Sequence, residues 1–151
     1  MFTPLSERSA ILLVEDNEDD EELTLTAFKN NHIANEVIVV RDGAEALDFL
    51  FRQGKFSGRS CATDPRLVLL DLKLPKINGL EVLKELRRND ATKYLPVVVL
   101  TTSNQDEDIL GSYQLGANSF IRKPVEFRKF SEAIGQLGMY WLLLNELPGA
   151  R

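Results

Sequence analysis

Five short apolar runs recur along the chain, each followed by a stretch long enough for a helix, and this alternation leaves few folds open. The runs are 10–14 (AILLV), 37–40 (VIVV), 67–70 (LVLL), 97–100 (VVVL) and 119–121 (SFI). Strands that are apolar along nearly their whole length are those covered on both faces, and a helical crossover returns each strand parallel to the last. The expected class is α/β, a doubly wound five-stranded parallel sheet of (βα)5 order.

The helices are read from apolar spacing and start signals. The first is expected from Asp19, whose side chain can cap with Glu22 three positions on, and it turns Leu23, Ala27 and Phe28 inward. The second, over 43–51, carries Ala46, Leu47 and Leu50; the third starts near Gly79 and carries Val82, Leu83 and Leu86; the fourth spans 106–115. The last is expected from Glu126 towards Leu147. The longest irregular connection, 52–65, reads as a surface loop.

A chain of 151 residues, 44% hydrophobic and 27% charged, is expected to fold as one domain over 1–151. A net charge of -5 and no basic helix face disfavour nucleic acid as a partner. No apolar run approaches the ~18 residues of a membrane span, and 1–10 lacks the pattern of a signal peptide, so no membrane partner and a cytoplasmic location are expected. Cys61 is the one cysteine, which rules out an internal disulfide. His32, in a polar Asn-Asn-His turn, reads as solvated rather than as a relay or metal group.

In an open parallel sheet, ligands gather outside the carboxyl ends of the strands. The residues there are Glu15, Asp16, Asp71, Thr101 and Lys123. Three carboxylates from two strands repel one another unless a cation sits among them, and hard oxygen donors in small number suit Mg²⁺. A carboxylate beside such a metal can act as a nucleophile, while the Lys123 ammonium and Thr101 hydroxyl can bind phosphate oxygens. Singly, an acid at a strand end is a common helix cap or turn residue, and only the set points to phosphoryl chemistry. The second acidic cluster, Asp19, Asp20, Glu21 and Glu22, is accounted for by the positive end of a helix dipole.

The ordered elements Ile-Leu-Leu-Val-Glu15-Asp16, Leu-Leu-Asp71, Thr101 and Lys123-Pro124 resemble a response-regulator receiver domain over about 9–137. Pro75 and Gly79 stand four and eight positions after Asp71, and Lys123 stands twenty-two after Thr101, as in that family. The resemblance implies a flavodoxin-like receiver fold and a histidine kinase as phosphoryl donor. It makes Asp71 the phosphoacceptor and Glu15, Asp16 and Asp71 the metal acids, with Lys73 contributing its backbone carbonyl. Thr101 becomes the switch hydroxyl and Lys123 the phosphate partner. Glu15 stands where many members carry aspartate, which lengthens one metal arm by a methylene. Phe120 is either the aromatic that follows the threonine or a plain core residue. The segments Leu-Leu-Asp71-Leu-Lys-Leu-Pro-Lys, Val-Val-Val-Leu-Thr101-Thr102-Ser103 and Tyr140-Trp141-Leu are similar to the small response regulators of cyanobacterial phytochromes, which implies a phytochrome kinase.

With the receiver filling the chain, no separate output enzyme is expected, and the signal is expected to leave by protein-protein contact through Tyr113, Phe120 and the last helix. That helix spaces Phe127, Phe130, Ile134, Leu137, Trp141 and Leu144 three and four apart, as one buried seam, and leaves Met139, Tyr140, Leu142, Leu143 and Leu147 outside it. The apolar remainder is covered either by a second copy, giving a homodimer through this helix and the neighbouring strand, or by the chain itself. A haloacid-dehalogenase-type phosphatase needs an acid where Lys73 stands, and no glycine-rich nucleotide loop follows the first strand. The surviving alternative is a receiver-like adaptor that acts without phosphorylation.

Overall fold

The computed structural model describes residues 10–60, 64–101, 106–122, 126–138 and 140–141. Five strands, β1 (Ala10–Val14), β2 (Val37–Val40), β3 (Pro65–Leu70), β4 (Val97–Thr101) and β5 (Ser119–Arg122), alternate with five helices. The helices are α1 (Glu18–Asn30), α2 (Gly43–Leu50), α3 (Gly79–Arg88), α4 (Asp106–Gln114) and α5 (Phe127–Leu137). The strands form one sheet in the order β2-β1-β3-β4-β5, with every neighbouring pair parallel. The expected fold class holds, and the order reverses between β1 and β3, which opens a crevice at the carboxyl ends of those two strands.

Alternation along the strands builds two separate apolar layers. Leu12, Val14, Val68, Leu70, Val97 and Val99 face Ala46 and Phe49 of α2 and Val82, Leu83 and Leu86 of α3. Ile11, Leu13, Leu67, Leu69, Val98 and Leu100 face Ala27 and Phe28 of α1 and Phe130 and Ile134 of α5. Each of the larger side chains among these contributes roughly 1.5–3 kcal/mol by leaving water, so the central strands hold the molecule together.

Two sequence expectations are corrected. Asn17, not Asp19, caps α1, because its side chain accepts the Asp20 N–H at 3.0 Å. Asparagine caps as well as aspartate, and this choice leaves four acids, Glu18 to Glu21, in the first turn against the helix dipole. The seam of α5 begins at Phe130 rather than Phe127, which is 38% exposed; Phe130 and Ile134 are buried, and Leu137 and Trp141 pack half-buried on the second layer. The segment after Trp141, with Leu144 and Leu147, lies outside the described residues, as do Met139, Leu142 and Leu143. The described residues of the 52–65 connection are mostly exposed, as expected of a surface loop, and a few of its side chains tie it to α2. Phe56, in a short 3-10 turn (Gly54–Phe56), meets the Phe49 ring edge-on at 5.1 Å. Arg59 stacks its guanidinium 4.3 Å above the same ring and donates to Phe49 O at 2.9 Å. Asp64 accepts from both Arg52 and Arg59, at 2.9 and 2.8 Å.

His32 occupies the turn after α1 with φ 57° and is exposed, as expected, and Cys61 lies outside the described residues. Among the described residues no helix is long and apolar enough to cross a membrane.

Candidate functional site

β1 lies between β2 and β3, so backbone hydrogen bonds anchor the chain beyond its end on both sides. The Glu15 N–H donates to Val40 O at 3.0 Å, and the Asp71 N–H donates to Val14 O at 3.1 Å. Both residues are the first beyond their strands, so their side chains enter the crevice at the reversal of strand order. The carboxylates of Glu15, Asp16 and Asp71 each bring an oxygen to within 4.8 Å of the others. Glu15 is 1% exposed and Asp71 9%, whereas Asp16 is open to solvent.

The Asn17 N–H reaches the Glu15 carboxylate at 3.4 Å, and the Lys73 N–H reaches Asp71 Oδ1 at 3.3 Å. At an effective dielectric of about 20, two carboxylates at such a separation repel by roughly 3 kcal/mol. Three clustered carboxylate oxygens are the donor set of a hard divalent cation, and the residues fit one.

Lys73 sits in a tight turn in which the Leu74 N–H and the Gly79 N–H both donate to Leu72 O, at 3.2 and 2.9 Å. The glycine eight positions after Asp71 has a steric reason. A Cβ at position 79 would lie 2.3 Å from Asp71 O and 2.6 Å from Leu72 Cα. Thr101 ends β4, fully buried, and pairs in register with Arg122 of β5, the residue before Lys123. Lys123 itself lies outside the described residues, with Thr102 and Ser103. Phe120 pairs with Val99 and packs half-buried against the first layer.

The sequence reading missed two groups that shape this site, Asn17 and the first turn of α2. Asn17 was signalled by its place immediately before a run of acids, the usual position of a cap.

The family model for the response regulator receiver domain matches residues 11–135. The chain belongs to that family. The probable methanogenesis regulatory protein FilR2 of Methanothrix harundinacea is 42% identical to this receiver over 139 residues, covering 92% of it and 87% of the relative. Response regulator Rcp1 of Synechocystis is 39% identical over 140 residues, 93% of each chain. Among solved structures, the phosphorylated cyanobacterial phytochrome response regulator RcpA superposes with a TM-score of 0.84 at 39% identity, over 94% of this receiver and 99% of RcpA. The Mn²⁺-bound form of Rcp1 superposes at 0.83 and 38%, over 93% and 99%. The expected likeness to phytochrome response regulators therefore holds, and a divalent metal occupies a relative.

Proposed function

We propose that this receiver is a single-domain response regulator, spanning 1–151 in the cytoplasm, that takes a phosphoryl group from the phosphohistidine of a kinase onto Asp71 in a Mg²⁺-dependent reaction. The observation that carries the reading is the convergence of the Glu15, Asp16 and Asp71 carboxylates within 4.8 Å at the crevice, two of them buried. An Asp71 oxygen forms the new P–O bond as the donor's P–N bond breaks, and the departing imidazole takes a proton from water. Glu15, Asp16, Asp71 and the Lys73 carbonyl hold the metal. Mg²⁺, when bound, offsets the charge of the acids and of the phosphoryl oxygens.

The Thr101 hydroxyl donates to one phosphoryl oxygen and the Lys123 ammonium pairs with another, and Phe120 follows Thr101 as it moves. The receiver supplies the machinery for its own phosphorylation and dephosphorylation, and its output is protein-protein contact, including a homodimer through α5 and β5. The likeness to RcpA supports a phytochrome as the kinase; phosphotransfer from a phytochrome kinase no faster than from an unrelated one would remove that assignment.

Incubation with acetyl phosphate, with and without Mg²⁺, followed by intact-mass measurement, tests the reading. One phosphoryl group is expected on the wild-type chain with Mg²⁺ and none on Asp71→Asn. No gain under any condition would make the chain an adaptor that acts without phosphate.

A further inference from the structure

The loop from β3 to α3 carries the backbone beside Asp71, and it rests against the first turn of α2. The Gly43 N–H donates to Pro75 O at 3.4 Å. A Cβ on Gly43 would lie 1.8 Å from Ile77 O, 2.6 Å from its carbonyl carbon and 2.8 Å from its Cβ. Backbone atoms cannot turn aside as a side-chain tip can, so any side chain at 43 must displace the loop or the helix. Gly43 is not among the residues with positive φ, so the glycine is required for space rather than for conformation.

The neighbouring residue reinforces the contact. Asp42 caps α2 through the Glu45 N–H at 2.7 Å, and its other oxygen stands 3.5 Å from Lys76 Nζ. Lys76 has φ 67°, a left-handed conformation that a non-glycine residue enters at a cost and keeps only when its surroundings hold it there. The segment 75–77 is thus held by α2, while Gly79 closes the other end of the loop against Asp71 O and Leu72 Cα.

We infer that Gly43 is a positioning residue for the Asp71 site: the space left by its missing side chain seats segment 75–77 against α2 and fixes the turn that sets Lys73 beside Asp71. The inference rests on the reading of that site as a metal and phosphoryl centre. Its contribution is to place part of the site's precision in an element that offers no ligand to it.

The test measures Mn²⁺ binding by calorimetry alongside phosphorylation by acetyl phosphate, with circular dichroism and thermal melting to check the fold. Gly43→Ala is expected to weaken Mn²⁺ binding at least about five-fold, as loss of support around a metal site does, and to slow phosphorylation at subsaturating metal. A folded Gly43→Ala protein with wild-type Mn²⁺ affinity overturns the inference.

Should Gly43→Ala fail to fold, Lys76→Gln decides, because its side chain is largely exposed. Loss of a positive charge near a cation site would by itself tighten Mn²⁺ binding, whereas loss of the brace weakens it, by about two-fold at low salt. Unchanged or tighter binding overturns the inference. Wild-type protein that binds Mn²⁺ but accepts no phosphoryl group would remove the phosphoryl reading alone, and the Mn²⁺ comparison would still decide the role of Gly43. Wild-type protein that binds no Mn²⁺ removes both.

Discussion

Glu15 is almost wholly buried, and its carboxylate lies within 4.8 Å of those of Asp16 and Asp71. Folding therefore holds like charges together, and the metal and the apo fold make opposite demands on this residue. Glu15→Gln is expected to raise the melting temperature in EDTA, gaining on the order of 1–2 kcal/mol from relieved repulsion, and to weaken Mn²⁺ binding about tenfold. Loss of metal affinity without the gain in EDTA would show that the acids do not repel in the apo state. The placement of these residues at the strand ends was legible because chain order alone assigns a residue to the end of a strand. The contact of Gly43 with Ile77 was not, since it depends on how closely two elements remote in sequence approach. Asp64 shows a second balance: burial pushes its carboxyl up, but hydrogen bonds from Arg52 and Arg59 outweigh this and leave it below its ordinary value. A carboxyl lowered in the folded state contributes stability that is present above its unfolded pKa of about 3.9 and is lost as pH falls through the folded value. Asp64→Asn is expected to flatten the acid limb of melting temperature against pH between about 5 and 3; an unchanged limb would mean that the two arginines do not act on Asp64 in solution.

Helix α5 shows what spacing reveals about an element and what it conceals. The three-and-four repeat places Phe130, Ile134, Leu137 and Trp141 on one face, and that face packs on the second layer. The repeat could not say where the face begins, because Phe127 has the right phase but lies in the first turn, where it is more than a third exposed. Phe130→Ala is expected to cost about 3–5 kcal/mol and Phe127→Ala under about 0.5 kcal/mol in urea unfolding. Equal costs would restore the seam as read from sequence. The same helix is tied to α1 by Asn31, whose amide donates to Ala27 O and to Ser131 O, both at 2.8 Å. A Cβ on Gly135 would lie 2.3 Å from Asn31 Oδ1, so α1 and α5 meet along a line that no periodicity argument could locate.

For the whole molecule, the order of apolar runs was enough to fix a parallel sheet with helices on both sides, since few other arrangements bury such strands. What it could not fix is the state of assembly. Tyr140, beyond the end of α5, is 49% exposed with its ring edge-on to Trp141, and Leu110 and Tyr113 of α4 are 59% and 50% exposed. A dimer through α5 and β5 would cover part of this surface. Light scattering at tens of micromolar is expected to give twice the monomer mass on phosphorylation; monomer alone, with and without phosphate, would rule the dimer out. The two apolar layers share none of their buried side chains, one belonging to α2 and α3 and the other to α1 and α5. The sheet is therefore a partition, and each side is free to drift in sequence without repacking the other. A family that must keep one chemistry while acquiring new listeners gains from that arrangement, because insulation between the two halves lets recognition diversify on one side while the acids at the strand ends stay where they are.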